Sequence, residues 1–134
     1  MVDKRTNWRN DIDGSRAQVV PDGGATGTPN WAVRVVPSPS GYPVRNRQLA
    51  LAGGRPYRIC FDARRELTSG WSEGQLRVMS GSAQAVSTTF SAASPWMNFC
   101  TATFTPPSDD NNLQMRAVSG EQAFLVDNIT LTAM

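Results

Sequence analysis

The sequence predicts an all-β domain, an antiparallel sandwich or barrel, from three observations. In residues 57–64, Tyr57, Ile59, Phe61 and Ala63 alternate with Arg58, Cys60, Asp62 and Arg64. That period of two marks a strand with one buried face. Short runs of the same kind recur about nine or ten times, separated by Gly, Pro, Asn and Asp turn chemistry. No stretch carries a convincing helical period.

The elements follow in chain order. Residues 1–7 are polar and expected to fray. Trp8 is the first apolar anchor, and 10–14 is turn chemistry. Residues 17–20 form a short strand, and the Gly/Pro-rich stretch 21–29 is a loop. In the strand 30–36, Val33 and Val35 face inward and Arg34 outward. The loop 37–43 carries Tyr42. Residues 44–51 form a strand carrying Arg45, Arg47 and Gln48, and its imperfect alternation predicts a bulge. Gly53-Gly54-Arg55-Pro56 turns the chain into the strand at 57. The loop 66–74 carries Trp71. Strands follow at 75–79, with Leu76 and Val78 inward, and at 83–90 after a turn at Gly81. The last strands are 96–104, 113–117 and 123–131, with turns at 106–112 and 120–121.

A chain of 134 residues without an internal repeat or linker is one domain, 1–134, large enough to bury a core. Charged residues are only 18%, and turn formers and β-branched residues are plentiful, as in extracellular β domains. No apolar run approaches the roughly 18 residues of a membrane span, so a membrane partner is not expected. No signal peptide is recognisable, so the chain reads as a module excised from a larger protein.

Net charge is +2, and Lys4 is the only lysine among the 13 cationic residues. Arginine offers a planar fork for hydroxyls and carboxylates; a GC-rich coding sequence would give the same bias. There is no basic tract, so nucleic acid is not an expected partner. Histidine is absent, which removes the usual general base and metal ligand. Two distant cysteines, Cys60 and Cys100, do not make a zinc site. Each sits mid-strand, so they form either one disulfide, which implies an oxidising compartment, or two buried thiols. Cys60 shares parity with the charged face of its strand, whereas Cys100 shares parity with Ala102 and Phe104. Pairing them needs a bulge, expected after Trp96.

Three segments, in this order, resemble the carbohydrate-binding modules of the family 4, 9, 16 and 22 type. They are Gly-Gly-Arg-Pro-Tyr-Arg-Ile-Cys-Phe-Asp-Ala-Arg at 53–64, Pro-Trp-Met-Asn-Phe-Cys-Thr-Ala-Thr-Phe-Thr-Pro-Pro at 95–107, and Phe-Leu-Val-Asp-Asn-Ile-Thr-Leu at 124–131. The resemblance spans 8–131. It implies a galactose-binding-like β-sandwich, a jelly roll of two roughly five-stranded sheets. It also implies a monomeric, non-catalytic targeting module of a secreted carbohydrate-active enzyme. Such a module binds polysaccharide (β-glucan, xylan or a uronic-acid glycan) beside a parent catalytic domain. Trp96 matches a position that packs in the family core, and Trp8 and Trp31 read as core or edge packing. The family holds a structural calcium partly through the position matching Asp127. Its other ligand, a Glu in an opening Asn-Gly-x-Phe-Glu segment, has no counterpart here. Asp11 or Asp13 would have to complete such a site; otherwise Asp127 is a turn or capping residue.

Sugars present apolar C–H faces and a rim of hydroxyls, so proteins stack aromatics on the faces and aim polar side chains at the rim. The stacking candidates are Tyr42 and Trp71, each in a loop of small polar residues. The rim candidates are Arg45, Arg47, Gln75, Arg77, Gln114 and Arg116. Gln75 and Arg77 share one face of a strand, as do Gln114 and Arg116, so adjacent strands would make a hydrogen-bonding floor. Each of these residues is equally an ordinary solvated strand position. The arginines suggest a carboxylate-bearing ligand, and neutral glucans or xylans fit the resemblance as well. A glycosidase would need paired carboxylates. Asp62, Glu66 and Glu73 carry no other mark of an acid/base pair. A protein-binding or adhesive sandwich of a cell-surface or phage structural protein is the alternative function.

Overall fold

The computed structural model describes residues 17–21, 31–37, 42–66, 72–92, 95–117 and 122–134; of 17–21, 31, 32 and 45–47 it describes the backbone. Trp8, Asp11, Asp13 and Trp71 lie outside the described residues. Nine strands make up the described fold: β1 Ala17–Pro21, β2 Trp31–Val35, β3 Val44–Leu49, β4 Tyr57–Arg65, β5 Glu73–Ser80, β6 Ala83–Ser91, β7 Met97–Cys100, β8 Asn111–Ala117 and β9 Phe124–Ala133.

They form an antiparallel sandwich, one sheet in the order β1-β2-β9-β4-β7 and the other in the order β3-β8-β5-β6. From β2 onward the chain crosses between sheets at every connection except the β5–β6 hairpin. That path is the jelly roll expected, with five strands in one sheet and four in the other. The irregularity expected in β3 is present as a register shift against β8 between Val44 and Arg47.

The alternation seen in the sequence becomes the core. Ile59, Phe61 and Ala63 of β4, Val33 and Val35 of β2, and Phe124 and Val126 of β9 face Leu76 and Val78 of β5 and Leu113 and Met115 of β8. Burying each large side chain contributes about 1.5–3 kcal/mol. Four phenylalanines bridge the sheets. Phe90 of β6 lies 5.0 Å from Phe61, 5.3 Å from Phe99 and 5.1 Å from Phe124, centroid to centroid. Gly74 makes room for this cluster: a Cβ there would stand 2.5 Å from Phe90 Cζ and 2.8 Å from Phe124 Cε1.

The cysteines pair, and the structure corrects how. Cys60 lies directly opposite Cys100 in the β4–β7 ladder, and the two are disulfide-bonded with Cα atoms 4.0 Å apart. Phe99, not Cys100, shares the core side with Phe61, at 5.8 Å. The parity break falls after Cys100 rather than after Trp96. Thr101 N still donates to Ile59 O at 2.8 Å. Two residues back along β4, Tyr57 exchanges two backbone bonds with Phe104, three residues on from Thr101. One extra residue between Thr101 and Phe104 turns Phe104 inward.

A second irregularity lies in β9. Cys60 pairs with Thr130 and Asp62 with Asp127, so β9 carries one residue more than β4 over this step. Asn128 absorbs it with φ of 54°, a left-handed conformation that asparagine tolerates better than most residues. Its side-chain amide donates to Asp62 Oδ2 at 2.8 Å, and Asn98 donates to Asp62 Oδ1 at 3.0 Å.

Trp96 also departs from expectation. It is half-buried rather than in the core, with the Arg64 guanidinium 5.5 Å from its ring centroid. Arg64 alternates with inward Ala63, so this contact lies on the outer face of the five-stranded sheet.

Candidate functional site

The candidate site grows from the register of β5 against β8. Inward Gly74, Leu76 and Val78 leave Gln75 and Arg77 on the outer face of the four-stranded sheet, and inward Leu113, Met115 and Ala117 leave Gln114 and Arg116 there. The pairing sets Gln75 opposite Arg116 and Arg77 opposite Gln114. Each cross-strand pair is therefore an amide beside a guanidinium, and both are hydrogen-bonded. Arg116 Nε donates to Gln75 Oε1 at 2.9 Å, and Arg77 Nε donates to Gln114 Oε1 at 2.6 Å.

Tyr42 completes the group from the segment before β3. Its hydroxyl donates to Gln75 Oε1 at 3.1 Å. The Arg77 guanidinium carbon lies 3.9 Å from its ring centroid and that of Arg116 at 5.3 Å. A cation over a tyrosine face contributes about 0.5–1 kcal/mol at a partly exposed position. The segment before β3 thus reaches over the outer face to β5. Arg77 occupies one face of the Tyr42 ring, so a sugar ring would stack on the other face or displace the guanidinium.

Gln75 is the junction. Its oxygen accepts from Tyr42 and Arg116, and its Nε2 donates to Ser87 Oγ at 2.9 Å. Ser87 of β6 was not among the sequence candidates. The run Ala-Gln-Ala-Val-Ser-Thr-Thr-Phe alternates too weakly to mark which side chains face out.

The register therefore brings Tyr42, Gln75, Arg77, Gln114 and Arg116 together. Arg45 and Arg47 lie on β3, the edge strand beside β8, and their side chains are outside the described residues, as is Trp71.

Asp127 lies elsewhere, on β9. It is buried, and its Oδ1 accepts from Asn128 N at 2.7 Å. Among the described residues no group of three or more Cys, Asp or Glu side chains is placed to hold a metal ion. Within these residues, then, no such carboxylate cluster surrounds Asp127.

No family model and no curated protein sequence matches the chain. Solved structures do match in fold, and most are carbohydrate-binding modules. The CBM22-1 xylan-binding domain of Paenibacillus barcinonensis Xyn10C is 10% identical at a TM-score of 0.67, covering 91% of this chain and 83% of that one. The CBM22-1–GH10 modules of Clostridium thermocellum endo-1,4-β-D-xylanase 10B, complexed with xylohexaose, are 18% identical at a TM-score of 0.61 over 88% of this chain. This chain spans 24% of that protein's length. A Stig cyclase from Fischerella, in complex with an indole compound, matches at 11% identity and a TM-score of 0.61, covering 88% of this chain and 73% of that one. The fold is thus shared with binding modules and with an enzyme, and function has to be argued from the site.

Proposed function

We propose that this domain is a non-catalytic polysaccharide-binding module that targets a secreted carbohydrate-active enzyme to its substrate. The ligand would lie on the outer face of the four-stranded sheet. The observation that carries this is the Tyr42–Gln75–Arg77–Gln114–Arg116 network. It sets fixed donors and an aromatic ring on one face of a sandwich shared with xylan-binding modules. Side chains held by one another need less ordering on binding, which favours affinity. The Cys60–Cys100 disulfide is in keeping with an oxidising, extracellular setting. In this reading the module acts as a monomer beside a parent catalytic domain, and Trp71, Arg45 and Arg47 are further ligand contacts.

Affinity electrophoresis through gels containing plant, algal or fungal glycans tests the proposal. At least one glycan should retard the domain. Replacing Tyr42 and Trp71 by Ala should abolish retardation while the thermal melt is kept. A domain retarded by none of them would overturn the module reading and favour a protein-binding sandwich.

A further inference from the structure

We infer that Arg77 and Arg116 form a subsite for the carboxylate of an acidic sugar, so that the glycan carries uronic acid residues. The inference rests on the polysaccharide-binding reading and names the ligand class of the same site.

Three features converge on it. First, neither arginine has an acidic partner among the described residues. Among the described residues their contacts are Gln114, Gln75 and the Tyr42 ring. Arg34 of the same chain shows the contrast: its Nε and Nη2 each reach a Glu66 oxygen at 2.9 Å. The outer face of β8 offers no carboxylate, and Glu73, on the outer face of β5, makes no ion pair among the described residues. Second, both cations lie against one tyrosine ring, closer together than the Debye length of about 10 Å at 0.1 M salt. Two like charges held that close, half-buried and without a counter-ion among the described residues, are relieved by an anion that contacts them. Third, each guanidinium spends its Nε edge on a glutamine oxygen. Among the described residues the terminal pair of nitrogens is left as a planar fork, which matches a carboxylate with two parallel hydrogen bonds. The glutamines act here as positioning residues: neutral acceptors that orient the cations without cancelling their charge.

The test uses the intact, disulfide-bonded domain in titration calorimetry. The probes are polygalacturonate, alginate and glucuronoxylan, each beside its carboxyl-reduced counterpart, with dextran sulfate as a sulfate-bearing polyanion. At least one uronate polymer should bind, and its carboxyl-reduced form should bind about tenfold or more weakly, the scale of a charge-assisted contact. Arg77→Gln and Arg116→Gln should lower affinity for the uronate polymer toward that of its reduced form. Arg77→Lys and Arg116→Lys, which keep the charge and fold but lose the fork, should recover only part. Equal binding of native and carboxyl-reduced polymers would overturn the inference and leave the module reading intact. Dextran sulfate bound as tightly as any uronate polymer would overturn it by showing a general polyanion surface. Binding of no glycan, charged or neutral, would overturn the module reading and the inference with it.

Discussion

Gln75 on β5 lies opposite Arg116 on β8, and its side-chain oxygen accepts from both Arg116 Nε and the Tyr42 hydroxyl. One neutral acceptor thereby fixes a cation and an aromatic ring from two other parts of the chain. Gln75→Glu retains the acceptor oxygens and adds a negative charge beside Arg116. Stability should change by no more than about 1 kcal/mol, the worth of a partly exposed ion pair. Affinity for an acidic glycan should fall by about tenfold, because the internal carboxylate competes for the guanidinium. Calorimetric titration together with a thermal melt separates the two effects.

The disulfide should account for a large share of stability. Cys60 and Cys100 are separated by 40 residues. Closing a loop of that length in the unfolded chain contributes about 3–4 kcal/mol in the chain-entropy model. A Cys60→Ser, Cys100→Ser double variant should lose about that much in guanidinium unfolding. The wild type under reductant should lose a similar amount, and thiol titration in denaturant should find no free thiol without reductant.

Gly74→Ala should destabilise the domain by about 1–3 kcal/mol through overpacking. The added methyl meets Phe90 Cζ and Phe124 Cε1, both in the core between the sheets. Phe90→Leu alone leaves a void, but combined with Gly74→Ala the two losses should be less than additive, because they share one space. Urea unfolding of the four proteins completes the cycle.

Asn128 holds two features at once: a φ of 54° and an amide bond to Asp62. Asn128→Ala should cost about 1–2 kcal/mol, combining a left-handed backbone without glycine's freedom and a lost hydrogen bond. Asn128→Gly should recover the backbone part only. Chemical denaturation ranks the three, with wild type highest and alanine lowest.

Much of the fold is legible along the chain because alternation is a local property. Ile59, Phe61 and Ala63, or Leu76 and Val78, are spaced two apart whichever strands they meet. The outer-face pairs Gln75/Arg77 and Gln114/Arg116 are visible in the same way. Parity stops being local wherever a residue is inserted. Phe99 faces the core and so does Phe104, five positions on, because one extra residue lies between Thr101 and Phe104. No composition rule marks that insertion, so the sequence-based expectation for Cys100 has the wrong face while its pairing with Cys60 holds.

Sequence alone determines, then, that this is an all-β domain of sandwich or barrel type, which residues alternate, that no histidine chemistry is available, and that two cysteines lie mid-strand. Tertiary structure decides which strands are neighbours, and with them the site. That Gln75 meets Arg116 across 41 residues, or that Tyr42 reaches both, depends on crossover connections between sheets. The physical reason is that side-chain spacing is set by the backbone of one strand. Strand pairing is set by the burial of two whole faces against each other, to which every strand contributes at once.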